Sequence, residues 1–356
     1  MANVKNSKIL INGATGYVGA HCVKQALLDG YKVRAAVRSV KNEQKLKPLK
    51  DLAHASERLE FVEADLLKPD TWESAVIGCD YVFHVASPLP LNWGDETIIE
   101  TAVKGTLNVL TACADCPTIK KVVITGAGAS VSWGNDSTKT FNEEDWADLN
   151  VSPAYVKSKV LAERQAWSFV ENFSAGKNNF ALTVLLPCFI LGPTLTNEEA
   201  SSVTTIKRLL THDVPGVPKI QFPIIDVRDV GKANLLAITN RSSDGQRILL
   251  SSKSLWFREM AKVVENEFHK FGYCVPTREI PYPILYIYSF FDGQVKEFLP
   301  LVGHEQKLDN SKAKQILEMD FIQPEKSLID MGHSLISRGI VPAKRDYKPA
   351  IDQTRL

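Results

Sequence analysis

The stretch Lys8-Ile-Leu-Ile-Asn12-Gly13-Ala-Thr-Gly16-Tyr-Val-Gly19 decides the fold. Its first half is a short apolar run of the length of a buried strand. Its second half spaces three glycines as a tight turn that opens a helix. The helical pattern then runs to about Asp29, where Gly30 stops it. Strand, glycine turn and helix in that order let the backbone approach a pyrophosphate that the helix N-terminus faces. Gly13, Thr15, Gly16, Tyr17, Val18 and Gly19 are therefore expected to line a dinucleotide.

Outward from this stretch, strands are expected at 31–37, 59–63, 81–85, 121–125 and 180–186. Helical patterns at 71–76, 97–114 and 153–171 separate most of them. Strands alternating with helices imply a parallel sheet with right-handed crossovers. This is the α/β class with a doubly wound parallel sheet, the Rossmann fold, which binds ligands at the carboxyl ends of its strands. After Pro187 the alternation fades. Helical patterns return at 251–271 and 309–318. The expected division is a dinucleotide-binding domain over 1–190 and a smaller C-terminal substrate-binding lobe over 191–342. Some segments of that lobe return to the first domain, and residues 343–356 form a loose polar tail.

The 356 residues carry a formal net charge of +1, and no long run of one sign points to nucleic acid. Cys22, Cys79, Cys113, Cys116, Cys188 and Cys274 are scattered, which suits a reducing compartment and no disulfide framework. Cys113-Ala-Asp-Cys116 ends an apolar-periodic segment with no second ligand pair, so it reads as ordinary packing and no metal is expected. The N-terminus has no apolar signal segment. The apolar run 280–291 is too short to span a bilayer and reads as a core or lobe-packing helix. A cytoplasmic monomer or homodimer is the expectation. Thr354-Arg355-Leu356 has the Thr-x-Leu form of a PDZ-domain ligand, a motif that arises often by chance.

Tyr155-Val-Lys-Ser-Lys159 carries the chemistry. Four residues apart on a helix, Tyr155 and Lys159 share a face. An ammonium beside a phenol favours the phenolate and lowers its pKa. Such a pair can give a proton to a carbonyl oxygen as hydride reaches its carbon, or remove one in reverse. Ser152 and Pro153 are the expected N-cap and first helical residue. Arg38 ends the second strand with Lys45 beyond it and no acid before Glu43. A cation there suits a 2′-phosphate, so NADPH is the expected cofactor. Asp65 and Leu66 then fall beside the adenine. Val85, Ala86 and Ser87 end the fourth strand, and Thr125 ends the fifth, beside the cofactor.

These segments, with Val82-Phe-His-Val-Ala-Ser-Pro88, Ala102-Val-Lys-Gly-Thr106, Pro187 through Gly192-Pro193 and Asp226-Val-Arg-Asp-Val230, resemble the extended short-chain dehydrogenase/reductase family. The resemblance is to its branch of dihydroflavonol 4-reductases, cinnamoyl-CoA reductases and fungal methylglyoxal and ketone reductases. It implies Tyr155 as acid/base, Lys159 on the nicotinamide ribose, and Pro187 and Cys188 by the nicotinamide. One departure stands out. Where that family ends its fifth strand in serine, this chain has Ala127, and Ser130 or Ser132 is expected to reach in from the following loop. The family's flavonoid-binding asparagine falls near Ser132, which argues against a flavonoid. Leu186-Pro-Cys-Phe189 is apolar where sugar-nucleotide enzymes carry Arg-x-x-Asn. Phe189 and Phe222, with Tyr282, Tyr286, Phe290 and Phe291, are expected to line or cap a pocket for a small carbonyl substrate. The implied activity is NADPH-dependent reduction of a fairly apolar aldehyde or ketone. The alternatives are a 3β-hydroxysteroid dehydrogenase-like enzyme and a catalytically weak NADP(H)-binding regulatory protein.

Overall fold

Strand β1 (Lys8–Asn12) runs through the glycine turn into helix α1 (Tyr17–Leu28), and β2 (Lys32–Val37) follows. Then come α2 (Glu43–Lys50), α3 (Ala55–Arg58), β3 (Leu59–Glu63), α4 (Pro69–Val76), β4 (Tyr81–His84) and α5 (Thr97–Asp115). Next are β5 (Lys121–Thr125), α6 (Ala129–Ser132), α7 (Ala154–Glu171), β6 (Ala181–Pro187), β7 (Phe189–Leu191) and α8 (Ser201–Leu210). The remainder holds β8 (Gln221–Asp226), α9 (Val227–Thr239), β9 (Gln246–Leu250), β10 (Lys253–Trp256) and α10 (Phe257–Phe268). It ends with α11 (Tyr282–Tyr288), α12 (Gly293–Phe298), α13 (Ser311–Leu317) and α14 (Pro324–Ser337). This computed structural model describes residues 7–88, 94–134, 138–174, 176–198 and 200–348. The motif Thr354-Arg355-Leu356 lies outside them.

Seven strands form one parallel sheet in the order β3-β2-β1-β4-β5-β6-β9. Ile9 pairs with both Val33 and Tyr81, so β1 is central and apolar on both faces. Two elements from the second half complete this sheet. β9 pairs with β6 from Thr183 opposite Gln246 to Pro187 opposite Leu250, and α9 packs against α1. Helix α13 also packs on this side, with Ala313 and Leu317 in the core around β1, and most of the remaining second half builds a lobe around the three-stranded sheet β10-β8-β7. Its core includes Val203, Ile206, Met260, Val264, Phe268, Leu328 and Met331.

The two lobes meet at the first turn of α1. Tyr17 donates to the Gly192 carbonyl at 2.9 Å, and His21 Nε2–H donates to Pro193 O at 2.8 Å. Arg228 lies between buried Asp226 and Asp330, 2.7 Å from each, and Ser327 donates to Asp226 at 2.6 Å. These contacts tie α14 to the start of α9.

Three expectations change. The pattern at 251–271 divides into strand β10 and the shorter α10. The run 280–291 is largely exposed: Ile287 is 61% and Phe291 85% exposed, and on α11 only Leu285 is buried. Hydrophobicity alone does not say whether a partner surface exists. The tail is anchored as far as it is described, because Lys344 N donates to Tyr273 and the Tyr347 hydroxyl lies 3.0 Å from His333 Nδ1. No helix among the described residues is long and apolar enough to cross a membrane.

Candidate active site

The carboxyl edge of the sheet assembles the site. Gly13 has φ +65°, and a Cβ there would stand 2.9 Å from the Ala86 nitrogen; one at Gly19 would stand 2.0 Å from Gly13 O. Only glycine fits either position. Asn12 fastens the neighbouring strand end. Its Oδ1 accepts from Val85 N and Ala86 N, both at 2.8 Å, so its Nδ2 is the atom facing His84 Nδ1 at 2.6 Å. His84 is then a neutral tautomer whose Nε2–H donates to Thr106 at 3.1 Å. Burial, aided by the charge of Lys159, pushes the His84 pKa down to about 3. The amides of Val85 and Ala86 are thus engaged by Asn12. Ser87, Thr125 and Lys159 border a small cavity at this edge, and the buried Thr125 hydroxyl has no partner among the described residues. A glycine turn that exposes backbone, with an orphan hydroxyl beside it, fits a dinucleotide.

Other residues expected at the cofactor are placed variously. The Tyr17 ring is buried and points toward Gly192, and Val18 packs into the core, so only their backbone belongs to the turn. Thr15 lies in the turn. Arg38 is exposed at the end of β2 with no protein partner among the described residues. Lys45 instead pairs with Glu198 at 2.5 Å. Asp65 Oδ1 accepts from Leu67 N at 2.9 Å, and Leu66 O accepts from Asn108 at 2.7 Å. Pro187 ends β6; Cys188 N donates to Leu250 O at 3.0 Å. Desolvation pushes the Cys188 thiol up to about 12, which keeps it protonated and unreactive.

Helix α7 starts at Ala154, with Pro153 in the cap position. Ser152 does not cap it, because its hydroxyl donates to Asp148 O at 2.6 Å. Tyr155 and Lys159 share one face of α7. Lys159 Nζ donates to Thr125 O at 3.3 Å and lies 6.0 Å from the Tyr155 ring centre. Burial lowers the Lys159 pKa to about 8 against an opposing pull from Glu163.

Ala127 is 6% exposed and offers no hydroxyl. Ser130 does not take its place: it is completely buried, and its hydroxyl donates to Ala127 O at 2.7 Å and to Glu163 at 3.4 Å. The short helix α6 turns this side chain inward. Ser132 is half-buried and donates to Gln306 Oε1 of the second lobe at 3.3 Å. Sequence reasoning missed Asn12, His84, Glu163 and Gln306. The spacing Lys159-x-x-x-Glu163 was a usable signal for one of them.

An apolar cleft with about 850 Å³ of open space, part of it open to solvent, lies in the second lobe. Phe189 stacks on Phe222 at 4.6 Å, and Phe298 meets Phe222 edge-on at 6.0 Å. Phe298 also lies 6.4 Å from Trp133, which packs in one cluster with Tyr155. Packed side chains thus lead from the cleft wall at Phe298 through Trp133 to the small cluster of Ala147, Val156 and Val160 that Tyr155 also packs against. Leu285 and Tyr288 wall it, with the Arg208–Asp292 pair at 3.1 Å nearby. Tyr282, Tyr286, Phe290 and Phe291 do not line it and face outward. No group of three or more metal-ligating side chains occurs among the described residues.

This arrangement is that of a nucleotide-dependent α/β protein, and residues 9–250 match the NAD dependent epimerase/dehydratase family. The chain belongs to that family. It is 30% identical to tetraketide alpha-pyrone reductase 1 of Arabidopsis thaliana, over 93% of this chain and 96% of that protein. It is 31% identical to a cinnamoyl-CoA reductase of Medicago truncatula, over 87% and 97%. The crystal structure of Gre2 from Candida albicans in complex with NADPH superposes with a TM-score of 0.76 at 25% identity, covering 93% of this chain and 99% of that one.

Proposed function

We propose that the chain is an NADPH-dependent oxidoreductase that reduces the carbonyl of a fairly apolar aldehyde or ketone. The carrying observation is the Tyr155–Lys159 pair, placed on one helix face at the carboxyl edge beside Thr125. The similarity to two reductases and to an NADPH complex supports the same reading. Gly13, Gly16 and Gly19 would hold the pyrophosphate, and Arg38 the 2′-phosphate. NADPH, when bound, supplies the hydride. Tyr155 donates the proton to the carbonyl oxygen. Lys159, as an ammonium, lowers the cost of leaving a phenolate. Phe189 and Phe222 contribute apolar surface to the substrate. The test is loss of NADPH absorbance over a panel of aldehydes and ketones, native protein against Tyr155→Phe. Turnover confined to the native protein supports the reading.

A second reading follows from Ala127 and the inward Ser130. With that hydroxyl absent, the protein would bind NADP(H) as a regulatory module with little catalysis. Tight NADPH binding without turnover across the panel would favour it.

A further inference from the structure

Helix α7 continues the face that bears Tyr155 and Lys159 to Glu163, one further turn along. Glu163 is 2% exposed. Its Oε1 accepts from Arg247 Nε at 2.6 Å and Trp167 Nε1 at 3.3 Å; its Oε2 accepts from Ser130 and from Arg247 Nη2, each at 3.4 Å. Arg247 enters from β9, opposite Val184 of β6. Its guanidinium lies 3.6 Å from the Trp146 ring centre and donates to Asp145 O at 3.0 Å and to Glu143 O. Three side chains thus hold the carboxylate through four hydrogen bonds. Its negative end lies on the same helix as Lys159, while its counter-ion comes from a different element.

Lys159 itself is buried against a backbone carbonyl. The titratable and charged groups around it are Tyr155 and Glu163 on its own helix, neutral His84 at the end of β4, and Arg247 of β9 behind Glu163. We infer that Glu163, locked by Arg247, is a positioning residue that sets the charge of Lys159 and, through it, the proton-donating strength of Tyr155. This rests on the acid/base reading of Tyr155 above. The sign is definite. Removing a negative charge favours the deprotonated form of the ammonium, so Lys159 loses its proton at lower pH, and Tyr155 beside the resulting neutral amine holds its own proton more tightly. The low pKa of Lys159 leaves this charge sensitive to a single neighbour.

The test uses the full chain and two readouts. One is the alkaline limb of the pH–rate profile. The other, independent of turnover, is the titration of the Lys159 side chain by NMR with isotope-labelled lysine, assigned through Lys159→Arg. Glu163→Gln should move the Lys159 titration, and the alkaline limb that follows loss of its charge, toward acid by about one to three units, the range for removal of a nearby opposite charge. Glu163→Gln with Arg247→Met, which removes both charges, should recover at least half of that shift. Loss of packing alone would lower rates without moving the titrations this way. Should Glu163→Gln fail to fold, Arg247→Met alone must shift the Lys159 titration toward alkali. A Lys159 titration that coincides with the native one in Glu163→Gln overturns the inference, as does a double variant that shifts as far as the single one. If Lys159 titrates as described but no carbonyl is reduced, the control of Lys159 by Glu163 stands and the reductase reading, with the role of Tyr155, falls.

Discussion

The Lys159 ammonium lies 6.0 Å from the centre of the Tyr155 ring and donates to the Thr125 carbonyl at 3.3 Å. One helix face and one strand end therefore fix the relation between the two side chains. Because burial brings the lysine down to about 8, its charge is retained at neutral pH and lost just above it.

Tyr155→Phe removes the proton donor and leaves the ring and its packing. Turnover of any carbonyl substrate should fall by about 10²–10⁴-fold, the usual contribution of a positioned acid. NADPH affinity, read by fluorescence titration, should stay close to native. Lys159→Ala should weaken both. Full activity in Tyr155→Phe would exclude the proposed chemistry.

Ala127→Ser tests the missing donor. A hydroxyl there should raise kcat for simple carbonyls by up to about 10²-fold. Ser130→Ala should behave differently, because that hydroxyl is committed to Ala127 O and Glu163. Its expected effect is a stability loss of about 1 kcal/mol in urea, with activity retained. An inactive but folded Ser130→Ala would return Ser130 to the list of groups that hold substrate.

Arg38→Asp exchanges the exposed cation at the end of β2 for an acid. NADPH binding should weaken by about 10–100-fold, the value of a charge-assisted contact, while NADH binding improves. Equal native affinities for the two cofactors would remove Arg38 from the site.

The strands β1 and β5 were legible because both are buried runs bounded by turn residues. β9 was not: it opens with Gln246-Arg247, and its place beside β6 depends on long-range pairing, Thr183 opposite Gln246, and on the remote carboxylate of Glu163. Tyr155 and Lys159 were legible from spacing on one helix. The inward turn of Ser130 was not, since it depends on where α6 meets Glu163. Tyr17 belongs to a recognisable turn, yet its ring serves the lobe junction through a carbonyl 175 residues away. Local pattern carries backbone geometry, and the destination of a side chain depends on distant chain.

His21 and His84 give the fold a specific acid sensitivity. Both are almost wholly buried, and burial pushes them down to about 4 and about 3. An unfolded histidine titrates near the ordinary 6.5. Since the folded values are depressed, the unfolded chain takes up these protons first as pH falls. Their contribution is level above about pH 6.5, declines below it, and flattens only once pH has dropped through the folded values. Each group supplies at most about 1.4 kcal/mol per pH unit, so the pair should remove on the order of 3–4 kcal/mol between pH 7 and pH 5. Asp229 works against this: burial raises it to about 6, so the folded state takes up its proton first and recovers on the order of 1 kcal/mol over the same interval. The decisive measurement is the difference in urea stability between pH 7 and pH 5, compared between native protein and His84→Gln. Whatever its absolute stability, the variant should show a difference smaller by about 2 kcal/mol. An unchanged difference would mean that His84 titrates in the folded protein as it does in the unfolded chain, and that the chain from Asn12 through His84 to Thr106 is arranged otherwise.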